Sequence, residues 1–230
     1  MDAYSISGVL SRLPLFGQLG VDALFLISKS ACQFSASKGE QIFAKGEPVE
    51  GFYHLLSGKV KLAFLSSRGN EKIVDIVNSG QSFGEFMLLA DQPWPFYAQV
   101  IQDANLLFVE KRGFVKLLGK EGALKDHLLH AMSQRLCDLI SHMEALCMQT
   151  SRERIVGYLL REIEQSRARG SSEQVVELPD TKANTASLLN LTPETFSRII
   201  HNLEREKIVD VSRRTVRVLD LERLQQGCGC

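Results

Sequence analysis

Six apolar side chains constrain this chain more than any other feature. Leu129, Met132, Leu136, Leu139, Met143 and Leu146 follow one another at spacings of 3, 4, 3, 4 and 3. That is an a/d seam kept over nearly three heptads, the mark of a helix that offers a strip to another helix. Two arrangements satisfy it: the helix lies against its own domain, or it pairs with its twin in a second copy. The pairing is preferred, and it gains weight from a segment further on that needs a twofold partner.

The seam separates two regions of different texture. Before it, from about residue 38 to 110, short β-rich runs appear at 41–44, 52–56, 60–65, 73–77, 98–101 and 106–109. Gly39, Gly46, Gly51, Gly58, Gly69 and Gly80 fall between them, where turns need a positive φ or close backbone approach. Val60, Leu62 and Phe64 alternate with less apolar neighbours, which predicts that their face is buried. Six or more short strands with even turns predict a sandwich or jelly roll. Ahead of the strands, Val9, Leu10, Leu13, Leu19, Leu24 and Ile27 give short helical pieces around Pro14.

Beyond the seam the chain returns to helices. Ile155, Tyr158, Leu159 and Ile163 mark one over 152–166, followed by a loop at 168–173 and a strand at 175–178. The segment 180–205 carries the strongest chemistry. A short helix over 181–189, with Ala183, Ala186 and Leu189 inward, leads through a tight turn at Asn190 to a second helix. Thr192 is a good N-cap and Pro193 suits the first helical position. Phe196, Ile199, Ile200 and Leu203 face inward, which leaves Glu194, Thr195, Ser197, Arg198, His201 and Arg205 on the outer side or its flanks. Two helices joined this way, the second polar near its N-terminus, are what the DNA major groove admits. The runs 208–211 and 215–219 then form a hairpin wing with Arg213 and Arg214 at its tip.

Edge chemistry assigns the roles. Arg198 can pair with guanine O6 and N7, and Glu194 can accept from cytosine N4; at i and i+4 they share a face. The bland reading of that pair, a surface ion pair, is outweighed by the motif around it. Ser197 and Thr195 offer hydroxyl or methyl contacts to bases. Thr181, Lys182, Arg205, Arg213 and Arg214 are placed on backbone phosphates, with Thr192 and His201 in the same interface.

Three segments, FAKGEPVEGFYHLLSGKVKLAF at 43–64, SFGEFMLLADQ at 82–92 and LTPETFSRIIHNLEREKIV at 191–209, occur in an order that resembles the cyclic AMP receptor protein/FNR family of transcription regulators over essentially the whole chain. The resemblance implies an α+β protein with a sensory, jelly-roll-like β-roll at 1–110, a dimerisation helix at 111–148 and a winged helix-turn-helix at 149–230. It also implies an effector pocket between the β-roll and the dimer helix, with Gly84, Glu85, Phe96 and Tyr97 as its candidates. Members that bind cyclic AMP follow the Gly-Glu loop with an Arg-Ser pair, where this chain has Phe96 and Tyr97. A buried phosphate without an arginine is costly, so cyclic AMP is not expected. The pattern Glu194-x-x-Ser197-Arg198 is similar to the FNR branch and implies a palindrome of TTGAT-like half-sites.

What is sensed is less legible. An iron–sulfur cluster is not expected, because Cys32 is the only cysteine before Cys137. The chain is also similar to DNR-type regulators, which sense nitric oxide through haem, so haem stays a candidate. His54, His127, His130, His142 and His201 are the available histidines. His127 and His130 stand at i, i+3, and solvated helix residues explain them as well as iron ligation does. No metal site is read. Cys137 and Cys147 lie off the seam and read as packed thiols, and Cys228 and Cys230 as a flexible tail; five irregularly spaced cysteines fit a reducing cytoplasm.

The formal net charge of zero does not advertise nucleic acid, though an average can hide a basic face. No apolar run long enough to cross a membrane, and no secretory pattern at 1–10, is seen. An enzyme is not expected: there is no Ser/His/Asp set, no phosphate-cradling glycine loop before a helix and no metal cluster. The expectation is therefore a cytoplasmic homodimeric DNA-binding regulator that works with RNA polymerase. The alternative is a cyclic nucleotide-binding module without DNA, which has no use for 192–198 or the wing arginines.

Overall fold

A computed structural model of the chain describes residues 3–13, 15–66, 69, 71–168, 174–178 and 181–226. Pro14, the loop at 169–173, Asp180, Cys228, Cys230 and the side chain of His142 lie outside what is described. The chain forms two compact units, Met1–Asp138 and Leu139–Cys230, which divide within one long helix.

The first unit opens with α1 (Ala3–Leu10) and α2 (Val21–Ser28). It continues through β1 (Ala31–Ala36), β2 (Gln41–Phe43), β3 (Gly51–Leu65), β4 (Glu71–Asn78), β5 (Ser82–Phe83), α3 (Met87–Ala90), β6 (Tyr97–Glu110) and α4 (Lys111–Leu118). It closes on the first part of α5 (Gly122–Met148). The strands make one antiparallel sheet in the order β1-β6-β3-β4, with β2 added to β6 and β5 to β3. Two long strands, β3 and β6, therefore replace four of the short runs expected from the glycine spacing. The reason is Gly58. It lies inside β3 with φ +93°, and any Cβ there would collide with backbone at Asp103 and Ala104 of β6. The ladder slips on both sides of it, so what reads locally as a turn is a bulge that bends two paired strands together.

A second slip between Leu62 and Ala63 changes which face the end of β3 presents. Val60 and Leu62 are buried as expected, but so are Lys61 and Ala63, and Phe64 is 42% exposed. The expected burial of Phe64 is corrected: the phase of the strand breaks before it.

Phe16, Phe52 and Phe114 form one aromatic knot, with Phe52 and Phe114 centroids 5.2 Å apart, that clamps helix α4 to β3. Leu124 and Leu128 carry the same core into the first turns of α5. Past them the helix changes character. Leu129, Met132, Leu136, Leu139, Met143 and Leu146 are 38–64% exposed, so the seam is not spent on the core of its own chain. Cys137 and Cys147 are exposed as well, not packed thiols.

The second unit contains the rest of α5, then α6 (Ser151–Ala168), β7 (Val175–Glu177), α7 (Lys182–Leu188), α8 (Pro193–Arg205), β8 (Val209–Ser212), β9 (Thr215–Val218) and α9 (Leu221–Gln226). Its sheet runs β7-β9-β8. Ile155, Val156 and Leu159 of α6 meet Phe196, Ile200 and Leu203 of α8 and Val216 of β9 in one apolar core. No described helix is long and apolar enough to cross a membrane.

Candidate nucleic-acid interface

Helix α8 is held at both ends. The Thr192 hydroxyl oxygen accepts from the Thr195 amide at 3.2 Å, and Pro193 occupies the first turn, where its missing N–H costs nothing. At the other end, Glu206 caps the helix and its carboxylate takes two hydrogen bonds from the Arg152 guanidinium, at 2.9 and 2.6 Å. Those bonds hold the Glu206 carboxyl below the usual range. The Arg223 guanidinium donates to the Glu206 backbone carbonyl at 3.1 Å. This bracket escaped sequence reading because Arg152 and Glu206 lie 54 positions apart. The one local signal was an acid directly after the last helical arginine.

Between the caps, Phe196, Ile200 and Leu203 are buried and Ile199 is half-buried, which fixes the rotation of the helix. Glu194, Ser197, Arg198, His201 and Arg205 are exposed, and Thr195 is half-buried beside its cap. Glu194 keeps its carboxyl below the usual range, because its own backbone amide and the Thr192 hydroxyl hydrogen-bond to it. It therefore stays a hydrogen-bond acceptor at neutral pH. No ion pair joins Glu194 to Arg198 among the described residues; the nearest pairing on this face is His201 with Glu204 at 3.5 Å.

Helix α7 precedes it through Asn190, whose φ of 55° makes the tight turn. Thr181 caps α7 by accepting from the Asn184 amide at 3.1 Å, and Lys182 is exposed in its first turn. The inner face differs at one place: Ala183 is exposed and Thr185 is buried, its hydroxyl donating to the Thr181 carbonyl at 3.3 Å. The wing is the β8–β9 hairpin, with Arg213 and Arg214 exposed at its tip and Arg213 in the left-handed region at φ 51°. Arg217, exposed on β9, adds a cation that sequence reading passed over.

The residues expected to form an effector pocket sit in the first unit. Gly84 has φ +92° and is buried flat against the Trp94 ring, which a Cβ would strike. Phe96 is in the core, its ring 6.0 Å from Trp94 and 6.1 Å from Phe43. Tyr97 donates to Glu71, which also pairs with the buried Lys61 at 2.6 Å. Glu85 is shielded, one carboxylate oxygen has no hydrogen-bond partner, and burial raises its pKa against the opposing pull of its backbone hydrogen bond and Arg135. Arg135 of α5 donates to Asp75 of β4 at 2.6 Å, which ties the roll to the long helix. Among the histidines, His54 is buried with Nδ1 2.9 Å from the Ser82 hydroxyl, and burial lowers its pKa; His127 is half-buried and His130 exposed on α5.

Comparison with known proteins agrees with this layout. Residues 33–121 match the cyclic nucleotide-binding domain family and residues 153–226 the Crp-like helix-turn-helix domain family. The cyclic AMP receptor protein of Thermus thermophilus is 25% identical over 213 residues, 93% of this chain and 95% of that protein. The fumarate and nitrate reduction regulatory protein of Vibrio cholerae is 23% identical over 192 residues, 84% of this chain and 76% of that one. Among solved structures, FixK2 from Bradyrhizobium japonicum is 25% identical with a TM-score of 0.76, covering 85% of this chain and 96% of its own. DNR from Pseudomonas aeruginosa is 33% identical with a TM-score of 0.51, covering 95% and 96%. The chain thus belongs to the CRP/FNR family of DNA-binding transcription regulators.

Proposed function

We propose that this regulator acts as a homodimer on a palindrome of TTGAT-like half-sites, and that a signal other than cyclic AMP switches it through the β-roll. The observation that carries the reading is the outer face of α8. Glu194, Ser197 and Arg198 stand exposed beside a capped, proline-started N-terminus, with Arg198 in no described ion pair. Arg198 is assigned to guanine, Glu194 to cytosine N4, and Ser197 and Thr195 to neighbouring base edges. Lys182, Arg205, Arg213, Arg214 and the capping threonines, Thr181 and Thr192, border phosphate, with His201 on the flank.

The exposed seam of α5 supports the twofold pairing. A palindrome whose half-sites lie one helical turn, about 34 Å, apart requires that symmetry. Against cyclic AMP stand Phe96, committed to the core where a phosphate-binding arginine is needed, and Trp94, seated on Gly84. The switch is assigned to the contacts that join roll and helix, namely Asp75 with Arg135 and the buried Leu124 and Leu128. A ligand that favours one arrangement of these contacts shifts the population toward it. Transcription then follows through RNA polymerase in the cytoplasm.

Fluorescence anisotropy on a TTGAT-N4-ATCAA duplex tests the reading, with a scrambled duplex and Arg198→Ala alongside. Specific binding that the variant loses by roughly 1–3 kcal/mol per bidentate contact is the expected result. Equal binding of both duplexes by the wild type overturns the base assignment. Absence of any binding directs the titration to added haem and nitric oxide, where a Soret band reports whether haem enters.

A further inference from the structure

In the first unit, a cleft of about 370 Å³ opens among Ile42, Phe43, Tyr53, Trp94 and Phe108, with Glu47, Pro48 and Glu50 at its rim. Four aromatic rings from four segments meet there. Phe43 and Trp94 stack at 3.9 Å, Phe43 and Tyr53 lie 5.8 Å apart, and Tyr53 and Phe108 lie 5.0 Å apart. Trp94 is pinned in place by its backbone: its amide donates to the Glu47 carbonyl at 2.9 Å, and its carbonyl accepts from Gly46 at 2.8 Å. Glu47 and Glu50 are exposed, and neither is in an ion pair among the described residues. Their charge reaches the cleft wall, since Tyr53 is pushed up to about 12, first by burial and then by Glu47, Cys32 and Glu50.

The lining is aromatic, with Phe43 and Trp94 buried and Tyr53 and Phe108 half-buried, while the free charge at the rim is negative. An anion is repelled by the two carboxylates and by the electron-rich ring faces. A neutral apolar ligand gains from the rings but makes no use of the acids. An organic cation uses both: the aromatic lining attracts it through the ring quadrupoles, and the glutamates neutralise it. The volume lies within the range of small-molecule sites. We infer that this cleft is a binding site for a small organic cation with an ammonium or quaternary ammonium head, lined by Phe43, Tyr53, Trp94 and Phe108 and neutralised by Glu47 and Glu50.

Trp94 is the only tryptophan of the chain, so its emission reports on this wall directly. The full-length protein is titrated with choline and, separately, with 3,3-dimethyl-1-butanol, the neutral isostere in which carbon replaces the quaternary nitrogen. The expected result is a saturable change with choline, about tenfold stronger than with the isostere, as a partly desolvated cation–π contact requires. The surface double variant Glu47→Gln/Glu50→Gln, checked for an unchanged melting curve, should weaken choline several-fold and leave the isostere unaffected. Tyr53→Leu tests the ring itself and should weaken choline alone. Equal response to choline and isostere overturns the proposal, because the cleft is then merely apolar. No saturable response to choline in wild-type protein overturns it as well. Anisotropy on the duplex above is unaffected by any of these outcomes, so this inference and the DNA assignment fail separately.

Discussion

Replacing Leu136 by alanine separates the two uses that an a/d strip can have. Leu136 sits near the middle of the seam and is 60% exposed in the single chain. Full burial of a leucine contributes about 1.5–3 kcal/mol, so covering the exposed share contributes roughly 1–2 kcal/mol per protomer. In a twofold pair the residue occurs twice, and the substitution should weaken association by about 2–4 kcal/mol. That corresponds to a rise in dimer Kd of roughly 30-fold to several hundred-fold. Leu124 is the control. It lies on the same helix at 1% exposure, inside the core of the first unit, so Leu124→Ala should lower unfolding stability by about 2–5 kcal/mol. Sedimentation velocity over a hundredfold range of concentration measures Kd, and far-UV circular dichroism establishes that Leu136→Ala stays helical. A Kd unchanged within threefold, together with a drop in unfolding stability like that of Leu124→Ala, would refute the reasoning, for the strip would then pack on its own chain.

Other features are as open to test. Thr192→Ala removes the hydroxyl that accepts from the Thr195 amide and should cost about 1 kcal/mol in urea unfolding of the second unit; a change within 0.2 kcal/mol would show that Pro193 alone starts α8. Gly58→Ala forces a Cβ into the backbone of β6 at a left-handed φ, a conformation that alone costs roughly 1–2 kcal/mol. It should lower the melting temperature more than Gly80→Ala, whose Cβ meets nothing within 4 Å. For Glu85, burial raises the folded-state pKa above the ordinary 4.5, so its stabilising share is present below pH 4.5 and is lost as the pH climbs through the folded-state value. Glu85→Gln should therefore melt higher than wild type at pH 8, with the gap closing toward pH 4; a gap independent of pH sinks the assignment.

Local chemistry made part of this molecule readable in advance. Thr192, Pro193 and the Phe196–Ile200–Leu203 spacing define α8 within a dozen residues, because capping and amphipathic rotation are decided by near neighbours. The seam was readable for the same reason. Gly58 was not, since a glycine between two β-rich runs serves equally as a turn or a bulge. The choice was made by backbone at residues 102–104, more than 40 positions away. Strand β1 was missed outright: Ala31–Ala36 pairs with β6 along one edge, and its burial does not alternate, so no period-two signal existed to find.

Side-chain partnerships across the fold obey the same division. Phe96 and Tyr97 were placed together through the family resemblance, yet Phe96 lies in the bend before β6 and Tyr97 begins the strand. Phe96 consequently went to the core and Tyr97 to the Glu71–Lys61 pair. The cleft beside them inverts this case. Phe43, Tyr53, Trp94 and Phe108 come from β2, β3, the loop before β6 and β6 itself, and no spacing in the sequence ties the four together. They converge because β2 and β3 both pair with β6, and because Gly46 and Glu47 take both backbone bonds of Trp94. In this chain, then, the residues assigned to DNA lie close together in sequence and are legible as a motif, whereas the cyclic nucleotide-binding-type domain places its side chains by strand pairing. A domain built that way can change what it binds by single substitutions on separate strands while keeping its sheet, which is why the family's fold predicts a regulator far better than it predicts a signal.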